Sequence, residues 1–502
     1  MTAVLYGLDD RPPMGWSIVL ALQHVLTMFG STVAVPLLLG PAMGLDTAGI
    51  AILISSVMLC SGVATLIQTT FGSRLPIIQG VSFSFLAAFS LIIAAVHDPS
   101  AASSSAALDA STALDASTAL GNVRPGDAMP YIAGAVMVGA VLEMLVGFTG
   151  AMALVRRVLS PVVVGPVIML IGLALYEAGA PVAASHWPIS ILTIVLIATF
   201  SFVLSHRSRI ARMFPMLLAI VVSVAVCAIC SAVGWFGPDH PARPNLSAFH
   251  GSPWIRTGGI VFPWGMPKFE AAFVVAVIAG YLASMIESFG DYHACKQMAG
   301  GGPPTEREIS RGIGCEGIGC ALTGLLGGFS STSYSENVGL IGLTKVGSRY
   351  VVQIGAVILI ALGLLGKFGA LAAAIPTPVV GGLYCTMFGL ISGVGIRQFA
   401  KADLTSDRNL FIGGFALFMG ISVQHYFKNG GAEAVAATLP GGFSEIVGAI
   451  GQTGMAVAAI LGMTLDNVIP GTRAERGFEN SPLPEDSPLP SDHTYENRPT
   501  EI

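Results

Sequence analysis

The sequence predicts an all-α polytopic membrane protein with about fourteen transmembrane segments. Of its 502 residues, 53% are hydrophobic and only 11% are charged, whereas a soluble domain carries roughly a quarter charged residues. The apolar residues fall into long runs separated by proline, glycine and charge, and a helix that spans a bilayer needs about 20 mostly apolar residues. This composition argues against a soluble enzyme and against a nucleic-acid-binding protein.

The apolar runs give the candidate spans in order. They are 14–35, 47–70, 82–96, 130–154, 161–178, 189–205, 214–234, 269–292, 309–327, 336–345, 350–374, 378–396, 409–426 and 444–465. Asp46 precedes the second run and is a residue type that caps helices, and Pro130 and Pro161 open the fourth and fifth runs, where proline is tolerated. The third and tenth runs are shorter than a complete span.

Basic residues set the predicted orientation. If the N-terminus is cytoplasmic, the loops after the even-numbered spans are cytoplasmic as well. These loops contain Arg74; Arg156 and Arg157; Arg207, Arg209 and Arg212; Lys296, Arg307 and Arg311; Lys345 and Arg349; and Arg397, Lys401 and Arg408. The remaining loops hold only Arg124, Arg243, Arg256, Lys268 and Lys428. Because cytoplasmic loops carry an excess of Lys and Arg, we expect a multi-pass protein of the plasma membrane with both termini in the cytoplasm.

The chain divides into two halves with connecting segments. The predicted units are a cytoplasmic N-terminus 1–13, a first repeat 14–235 with an outside insert 97–128, an outside loop 236–268, a second repeat 269–465 and a cytoplasmic tail 466–502. The insert contains two copies of Ala-Leu-Asp-Ala-Ser-Thr, and the tail is rich in Pro, Glu, Asp and Ser. Such compositions bury too little apolar surface to order themselves, so we expect the tail to be disordered.

A weak internal symmetry relates the halves. The first and eighth spans each place a polar pair before Phe-Gly, at Phe29-Gly30 and Phe289-Gly290. Two spans later, each half has a Gly/Ser-rich break, at Leu75–Phe85 and Leu325–Gly339. Seven spans per half is an odd number, so the halves enter the bilayer in opposite orientations, as inverted repeats do. The broken third and tenth spans are the natural place for a substrate site.

Ionisable residues inside spans are costly and mark candidate sites. They are His24, Glu143, Glu287, Asp291, Glu316 and Glu336. Glu287 and Asp291 are four residues apart and share one helix face, so they would repel each other if both were ionised in a dry site. We expect one of them to hold a proton and to serve proton-coupled transport. The alternative is a hydrogen bond that pairs the helix with a neighbour.

The two breaks supply further candidates. Glu336 begins a half-helix, where its carboxylate either caps free N–H groups or faces substrate. Ser82 and Phe83 hold the matching position in the first half, and a backbone amide beside an aromatic ring suits a planar heterocycle; ordinary packing is the alternative for Phe83. We interpret Gln23 and His24 as an inter-helix hydrogen-bonding pair behind the site.

No Gly/Ser-rich break of a span accompanies Glu143 or Glu316. We therefore expect these two acids to pair helices or to line a cavity, and not to take a direct role. The sequence contains no HExxH, GxSxG or Walker motif. It therefore predicts no enzyme, no bound cofactor and no metal site; the only expected ions are co-transported protons or, as the alternative, sodium.

Three motifs resemble the nucleobase–ascorbate transporter (nucleobase:cation symporter-2) family. Its tenth-span signature is matched by Glu336-Asn337-Val338-Gly339, followed by Thr344-Lys345. Its eighth-span pattern matches Glu287-Ser288-Phe289-Gly290-Asp291-Tyr292, and its first-span pair matches Gln23-His24. The resemblance runs from about Arg11 to Asn467, apart from the insert.

The resemblance implies a fold and a set of roles. Two inverted seven-segment repeats would form a core domain (spans 1–4 and 8–11) and a gate domain (spans 5–7 and 12–14), with short antiparallel strands in spans 3 and 10 and a homodimer through the gate. Substrate would be held by the side chains of Glu287 and Glu336 and the backbone of Phe83 and Ser335, with Tyr334 bordering the pocket. Asp291 would tune Glu287 or join the proton path, Asn337 belongs to the signature, and Phe388 would be a gate aromatic.

The resemblance also narrows the substrate. Glu at the first signature position is typical of uracil-type and plant-like nucleobase transporters, and a carboxylate can accept two N–H bonds from such a ring. Ascorbate, an anion, would be repelled by two acids. The stretches VGSRYVVQ and DRNLFIGGF are closer to the ascorbate and plant-like branch, which leaves uracil, xanthine, uric acid and guanine open.

The predicted function is nucleobase–proton symport by an elevator-like movement of core against gate. One alternative is a sodium-coupled nucleobase or ascorbate transporter of this family. Another is an anion permease or channel of the same broad fold, which should place a cation facing the broken helices. The third is a membrane receptor without transport.

Overall fold

The computed structural model describes residues 4–97, 124–439 and 441–478. Almost all of the predicted insert 97–128, and the tail beyond residue 478, lie outside these ranges. The helices of the first half are α1 Met14–Ala42, α2 Thr47–Thr70, α3 Leu86–His97, α4 Met129–Phe148, α5 Met152–Val158, α6 Pro161–Leu173, α7 Tyr176–Ala184, α8 Trp187–Ala198, α9 Arg209–Met213 and α10 Pro215–Ala232.

The second half repeats this helical pattern after a short connecting helix. Its helices are α11 Ser247–Gly251, α12 Ala271–Met298, α13 Glu306–Leu326, α14 Ser335–Thr344, α15 Arg349–Leu364, α16 Gly366–Ala373, α17 Thr377–Phe399, α18 Asp407–Tyr426, α19 Ala432–Thr438, α20 Gly441–Gln452 and α21 Gly454–Val468. Short 3-10 turns cover Phe83–Phe85 and Leu204–His206, and π-helical turns cover Thr199–Val203 and Phe427–Gly431.

Within the described ranges, eight helices are long and apolar enough to cross a membrane. A ninth span results if Ile446–Gln452 and Gly454–Val468, which meet at 96°, count as one. Three shorter apolar helices, Phe83–His97, Pro161–Leu173 and Arg349–Leu364, coincide with predicted spans. The protein is therefore a mostly helical, multi-pass membrane protein, while the count of fourteen spans stays a prediction.

Helix starts follow the sequence signals. Asp46 caps α2 by accepting a hydrogen bond from the N–H of Gly49 at 2.7 Å, and Pro130 and Pro161 lie in the first turns of their helices; these predictions are confirmed. Thr305 and Glu308 form a capping box at the start of α13. Such caps satisfy N–H groups that a helix leaves unpaired.

Two three-residue strands interrupt the helices at the predicted breaks. Strand β1, Gln79–Val81, pairs antiparallel with β2, Ser331–Ser333, and Gly80 lies opposite Thr332. All six residues are buried. Each strand leads directly into a helical segment, at Phe83 and at Ser335, so the ribbon fixes where the two half-helices begin.

Helix packing comes in matched pairs. Helix α2 packs on α15, as α13 packs on α4, and α6 packs on α17. Counting by predicted spans, these are the second on the eleventh, the ninth on the fourth and the fifth on the twelfth. If each span is replaced by its counterpart seven positions away, the contact of the second span with the eleventh becomes the contact of the ninth with the fourth. The contact of the fifth span with the twelfth is unchanged by the same replacement. This is the pattern expected of two related repeats.

Small residues allow the paired helices to touch. A side chain on Gly62 of α2 would place its Cβ 2.7 Å from the carbonyl oxygen of Ala356 in α15. In the matching pair, a Cβ on Gly147 of α4 would lie 2.2 Å from the backbone nitrogen of Gly314 in α13. Because lipid gives no hydrophobic drive for helix association, close backbone approach of this kind supplies the contact area.

The apolar interior forms separate clusters. The largest includes Phe85, Phe89 and Phe329 around the first-half helices and α12. A second cluster joins α6 to α18 and α21 through residues such as Val163, Ala416 and Ala458. Phe83 packs against both clusters, so this side chain lies where the two helix groups meet.

The described terminal segments dock on loops that the sequence predicts to be cytoplasmic. Asp9 forms an ion pair with Arg349 at 2.7 Å, and Tyr6 forms a β-bridge with Val346. At the other end, residues 471–478 pack beside the loop between α17 and α18, where Asp403 N–H donates to the carbonyl of Glu475 at 3.0 Å.

Candidate functional site

The candidate site lies where the two interrupted spans meet α12. Ser335 is the first residue of α14, and Phe83 is the first residue of the turn that leads into α3. The first N–H groups of a helix have no intrahelical partner, and the helix dipole adds partial positive charge there. Two such ends at the strand ribbon create a setting that favours acidic side chains and acceptor groups of a ligand.

Tyr334 joins the two breaks. Its N–H donates to the carbonyl of Ile78 at 3.0 Å, and its hydroxyl donates to the carbonyl of Val81 at 3.0 Å. Thr32 of α1 donates to the same hydroxyl at 3.2 Å. The ring is only 3% exposed. The Tyr334 side chain, which is predicted to border the pocket, is therefore packed against the strands. Its hydrogen bonds connect β1, α14 and α1.

Asp291 is held by two serines of the second break. Ser333 donates to its Oδ2 at 2.6 Å and Ser335 donates to its Oδ1 at 2.7 Å. Both are short, charge-assisted bonds. The carboxylate consequently connects α12 to the end of β2 and to the first residue of α14, and it lies beside the backbone that the resemblance assigns to substrate.

Glu287 and Glu336 approach each other across the site. The Glu287 carboxylate interacts electrostatically with Asp291, Glu336 and Glu316. Glu336 is an exposed residue that accepts a weak bond from Ser31 at 3.4 Å. Within the described part of the chain, no protein group donates a hydrogen bond to the Glu287 side chain. Two neighbouring acids thus have unfilled acceptor positions.

A cavity of about 510 Å³ opens from this point. It lies between α1, α14 and the segment that joins α9 to α10. Its lining residues are Leu26, Thr27, Arg212, Met213, Phe214, Pro215, Met216, Leu217, Glu336, Gly339, Leu340, Gly342 and Leu343. The cavity is mostly apolar with a few polar groups, as small-molecule sites are. Glu336 and Arg212 are the charged side chains on it.

Ser82 and Phe83 form the first-half side of the site. The Ser82 N–H donates to the carbonyl of Ser330 at 3.0 Å, and its hydroxyl accepts from the N–H of Ser84 at 3.3 Å. Ser82 is buried, whereas Phe83 is partly exposed. The serine therefore supports the turn, and the aromatic ring is the accessible member of the pair.

Asn337 pairs α14 with α1. Its Nδ2 donates to the carbonyl of His24 at 2.9 Å and lies 3.2 Å from His24 Nδ1. The Nε2 of Gln23 has no hydrogen-bond partner among the described residues. The structure thus pairs His24 with Asn337, and it leaves the amide of Gln23 outside that contact.

Phe388 lies on α17, opposite α1. It stacks on Tyr384, with ring centroids 5.4 Å apart and planes 10° apart. The hydroxyl of Tyr384 donates to the carbonyl of Ala34 at 3.0 Å, and both rings are buried. The predicted gate aromatic is therefore one of two stacked rings, and its partner makes the direct hydrogen bond to α1.

A second acidic centre lies behind the strands. Glu316 of α13 accepts hydrogen bonds from Ser288 at 2.7 Å, from Tyr292 at 2.9 Å and from Ser284 at 3.2 Å. These donors all lie on α12, one helical turn apart. The observation agrees with the helix-pairing interpretation of Glu316. Within the described ranges, no three His, Cys, Asp or Glu side chains converge as a metal site requires.

Sequence reasoning misses several site residues. Its pattern places Arg212 only in a cytoplasmic loop, yet the side chain lines the cavity with Glu336, and Lys401 lies within electrostatic range of Asp291. The surroundings of the site therefore include cations as well as the carboxylates that the sequence identifies. One sequence feature could identify Tyr384 as a site residue: it lies four residues before Phe388, so both side chains lie on one helix face.

Comparison with known proteins places the chain in a family. A family model described as "Permease family" matches residues 15–429. Solute carrier family 23 member 2 of Homo sapiens is 36% identical over 508 residues, covering 95% of this chain and 76% of that protein. Nucleobase-ascorbate transporter 2 of Arabidopsis thaliana is 34% identical over 481 residues, covering 92% of this chain and 88% of that protein.

Solved structures with much lower identity share the fold. The transmembrane domain of the cyanobacterial bicarbonate transporter BicA aligns with a TM-score of 0.50 at 15% identity, covering 89% of this chain and 99% of that one. The murine anion transporter Solute Carrier 26 family member A9 aligns with a TM-score of 0.52 at 11% identity, covering 88% and 68%. The relatives by sequence are named as transporters, so the chain is a membrane transporter and not an enzyme. It belongs to the nucleobase–ascorbate transporter family.

Proposed function

We propose that this protein is a symporter that imports a nucleobase together with a proton, by movement of the core helices against the gate helices. The observation that carries the proposal is that Glu287 lies within electrostatic range of Glu336, beside the N-terminal end of the half-helix that Glu336 begins. Uracil, xanthine, uric acid and guanine all present N–H donors and C=O acceptors in one plane, and this arrangement offers the complementary set.

Recognition would use both kinds of group. The carboxylates of Glu287 and Glu336 would accept N–H bonds from the ring, and charge-assisted bonds of this type are short and strong. The unpaired N–H groups of Phe83 and Ser335 would donate to the ring carbonyls. The partly exposed ring of Phe83 supplies a stacking face.

Proton coupling would depend on Glu287. This carboxylate has Asp291 and Glu336 as acidic neighbours, so a proton on it relieves repulsion at the moment when substrate must bind. Loss of the proton towards the cytoplasm would restore the repulsion and favour release. Asp291, held beside Glu287 by two serines, would take part in the proton path.

Movement of the core against the gate would change the interface between them on both sides of the site. The stacked rings of Tyr384 and Phe388 and the bond from Tyr384 to Ala34 lie on one side of this interface. The cavity beside Glu336 lies on the other side, next to the segment that contains Arg212. A site that is tied shut on one side and accessible on the other is what alternating access requires.

The test is transport by purified protein in liposomes with imposed pH and sodium gradients. Labelled uracil, xanthine, guanine and ascorbate are compared. We expect accumulation of a nucleobase driven by a pH gradient, and we expect Glu287→Gln to abolish accumulation while retaining folding, measured by size-exclusion profile and melting temperature. Glu433→Gln, on an exposed face of α19, is the matched control. Accumulation against a gradient by Glu287→Gln would overturn the coupling role.

A second candidate substrate class is an anion, coupled to sodium. The specific observation in its favour is Arg212, a cation on the same cavity as Glu336. If the substrate is anionic, Arg212→Gln should reduce uptake of ascorbate at least tenfold and leave uracil uptake unchanged. Uptake of the anions by the variant at the unmodified rate would remove this candidate.

The assembly and location follow the same proposal. Helices Trp187–His206 and Pro215–Ala232 of the gate are only 22% buried over their apolar windows, so they must face lipid or another copy. We place the protein in the plasma membrane as a homodimer through these gate helices, with both termini cytoplasmic. Native mass spectrometry from lipid nanodiscs would show the dimer mass; a monomer alone would contradict it.

A further inference from the structure

Glu143 is a buried acid that the proposed transport step does not use. It lies in α4 and is 0% exposed. Among the described residues, neither of its carboxylate oxygens has a hydrogen-bond partner. Helix α13 packs against this part of α4 so closely that a Cβ on Gly317 would lie 2.8 Å from the backbone nitrogen of Met144. An ionised carboxylate without donors in such a place is very costly.

The groups that face Glu143 cannot neutralise it. They are Glu316 and Cys320 from α13 and Tyr281 and Tyr292 from α12. None of the four is a cation. A carboxylate at position 143 would therefore meet a second acid, Glu316, and no compensating positive charge from these two helices.

The hydroxyl and thiol groups of those neighbours have other acceptors. The Tyr281 hydroxyl donates to the carbonyl of Val136 at 2.7 Å, and the Cys320 thiol donates to the carbonyl of Ser331 at 3.2 Å. Tyr292 donates to Glu316 at 2.9 Å. Glu143 is therefore accommodated at this position as a protonated, neutral carboxyl group.

Glu316 is the better site for the negative charge. It accepts hydrogen bonds from three hydroxyl groups of α12, whereas Glu143 accepts none from the described residues. Hydrogen bonds to the charged form stabilise it. The difference in donors favours the negative charge on Glu316 and the proton on Glu143.

A chain of hydroxyls leads from this pair to the candidate site. Ser288 donates to Glu316 at 2.7 Å and lies 3.0 Å from the hydroxyl of Ser333, where either oxygen can be the donor. Ser333 donates to Asp291 at 2.6 Å. Two serine hydroxyls therefore separate the acid behind the strands from the acid at the site.

We propose that Glu143 and Glu316 share one proton in a dry site behind β2, and that Ser288 and Ser333 exchange it with Asp291. Ser288 first turns its O–H towards Ser333. Glu143 then passes its proton to Glu316, and Glu316 gives a proton to Ser288. Ser288 gives its own proton to Ser333, and Ser333 gives its proton to Asp291. Every O–H bond that breaks is replaced by one on the next oxygen. The net change is one proton moved from Glu143 to Asp291, which itself faces Glu287, Glu336 and Lys401. This site does not depend on which substrate is carried.

The experiment is infrared difference spectroscopy on the purified, substrate-free protein across a pH titration. A protonated carboxyl has a carbonyl stretch separate from that of a carboxylate, and the band shifts in heavy water. We expect such a band at neutral pH, the loss of one component of it in Glu143→Gln, and its full retention in the exposed-site control Glu433→Gln. Persistence of the full band in Glu143→Gln would overturn the proposal.

Two further variants keep the test decisive if Glu143→Gln fails to fold. Glu316→Gln replaces the carboxylate acceptor by a neutral, weaker amide acceptor, so the Glu143 band should shift in frequency while its intensity remains. Ser333→Ala breaks the hydroxyl chain, so after a pH jump the band should respond at least tenfold more slowly than in the unmodified protein. An unshifted band in Glu316→Gln would contradict the shared proton, and an unchanged rate in Ser333→Ala would contradict the exchange path. Because no substrate is present, these outcomes are separate from those of the transport assay.

Discussion

The hydroxyl of Tyr334 donates a hydrogen bond to the carbonyl oxygen of Val81 at 3.0 Å. This bond joins the second broken span to the first, and it sets the Tyr334 ring directly over Gly80. The ring leaves no room for a side chain on that strand, since a Cβ on Gly80 would lie 2.5 Å from the ring carbon that bears the hydroxyl. The geometry of the site therefore depends on a glycine that contacts no proposed ligand.

Gly80→Ala should damage the site through this contact. The ring of Tyr334 is held by bonds to Val81 and Thr32, so it cannot move aside without breaking them. Overpacking of a tight interior costs about 1–3 kcal/mol. We expect a lower melting temperature and loss of most uptake activity.

A matched glycine provides the control for this prediction. A Cβ added to Gly414, in α18, would meet no heavy atom within 4 Å, so Gly414→Ala should leave uptake and melting temperature unchanged. Equal behaviour of the two variants in both measurements would show that the strand ribbon tolerates a side chain beneath Tyr334.

The contact between His24 and Asn337 predicts coupling between α1 and α14. Removal of the ring in His24→Leu and of the amide in Asn337→Ala should each lower the melting temperature. Because the two residues are in contact, their effects should be non-additive by about 0.5–1.5 kcal/mol in a double-mutant cycle. The distant pair His24→Leu and Thr405→Ala should be additive within about 0.5 kcal/mol. Additivity of both pairs would mean that the contact adds no stability.

Much of this architecture could be predicted because the bilayer imposes simple rules. Long apolar runs must become helices, since lipid offers no partner for an open backbone. The breaks at Leu75–Phe85 and Leu325–Gly339 mark where that rule is relaxed, and the structure places paired strands within both. The polar residues of those breaks and the acids of α12 identified the site for the same reason.

Contacts between distant segments could not be predicted from local pattern. The sequence predicts that Gln23 and His24 act together, but only three-dimensional packing shows that His24 contacts Asn337. Arg212 illustrates the same limit, because a loop cation reaches the cavity through the way α10 packs against α1. Burial without a partner, as at Glu143, is likewise a property of tertiary structure alone.

The bond from Tyr384 to Ala34 predicts a role in closing one side of the site. Tyr384→Phe removes this hydrogen bond between α17 and α1 and keeps the stacking on Phe388. A buried hydrogen bond contributes about 0.5–1.5 kcal/mol, so its loss should shift the balance between closed and open forms by up to about tenfold. Phe388→Leu, which keeps the hydrogen bond, is the complementary variant.

Cysteine labelling measures that balance. Gly339→Cys places a thiol on the cavity beside Glu336, in a background where the partly exposed Cys230 and Cys385 are replaced by serine. If Tyr384 holds the present arrangement, Tyr384→Phe should slow labelling of the introduced thiol severalfold. An unchanged labelling rate would show that the bond does not contribute to closure.

The ion pairs around Asp466 predict how the described C-terminal segment is anchored. Asp466 is 1% exposed and contacts Arg408 at 3.0 Å and Arg476 at 2.6 Å. Removing one partner from a buried ion pair costs about 3–5 kcal/mol, because a charge is left without compensation. Asp466→Asn should therefore lower the melting temperature and expose the bonds near Arg473 and Arg476 to trypsin.

The control and the contrary outcome for this anchor are both accessible to limited proteolysis. Asp239→Asn, in an exposed loop, removes an acid of the same type and should change neither the melting temperature nor the cleavage rate. Trypsin resistance of Asp466→Asn equal to that of the unmodified protein would mean that the segment is held by its other contacts, such as the hydrogen bond from Asp403 to Glu475.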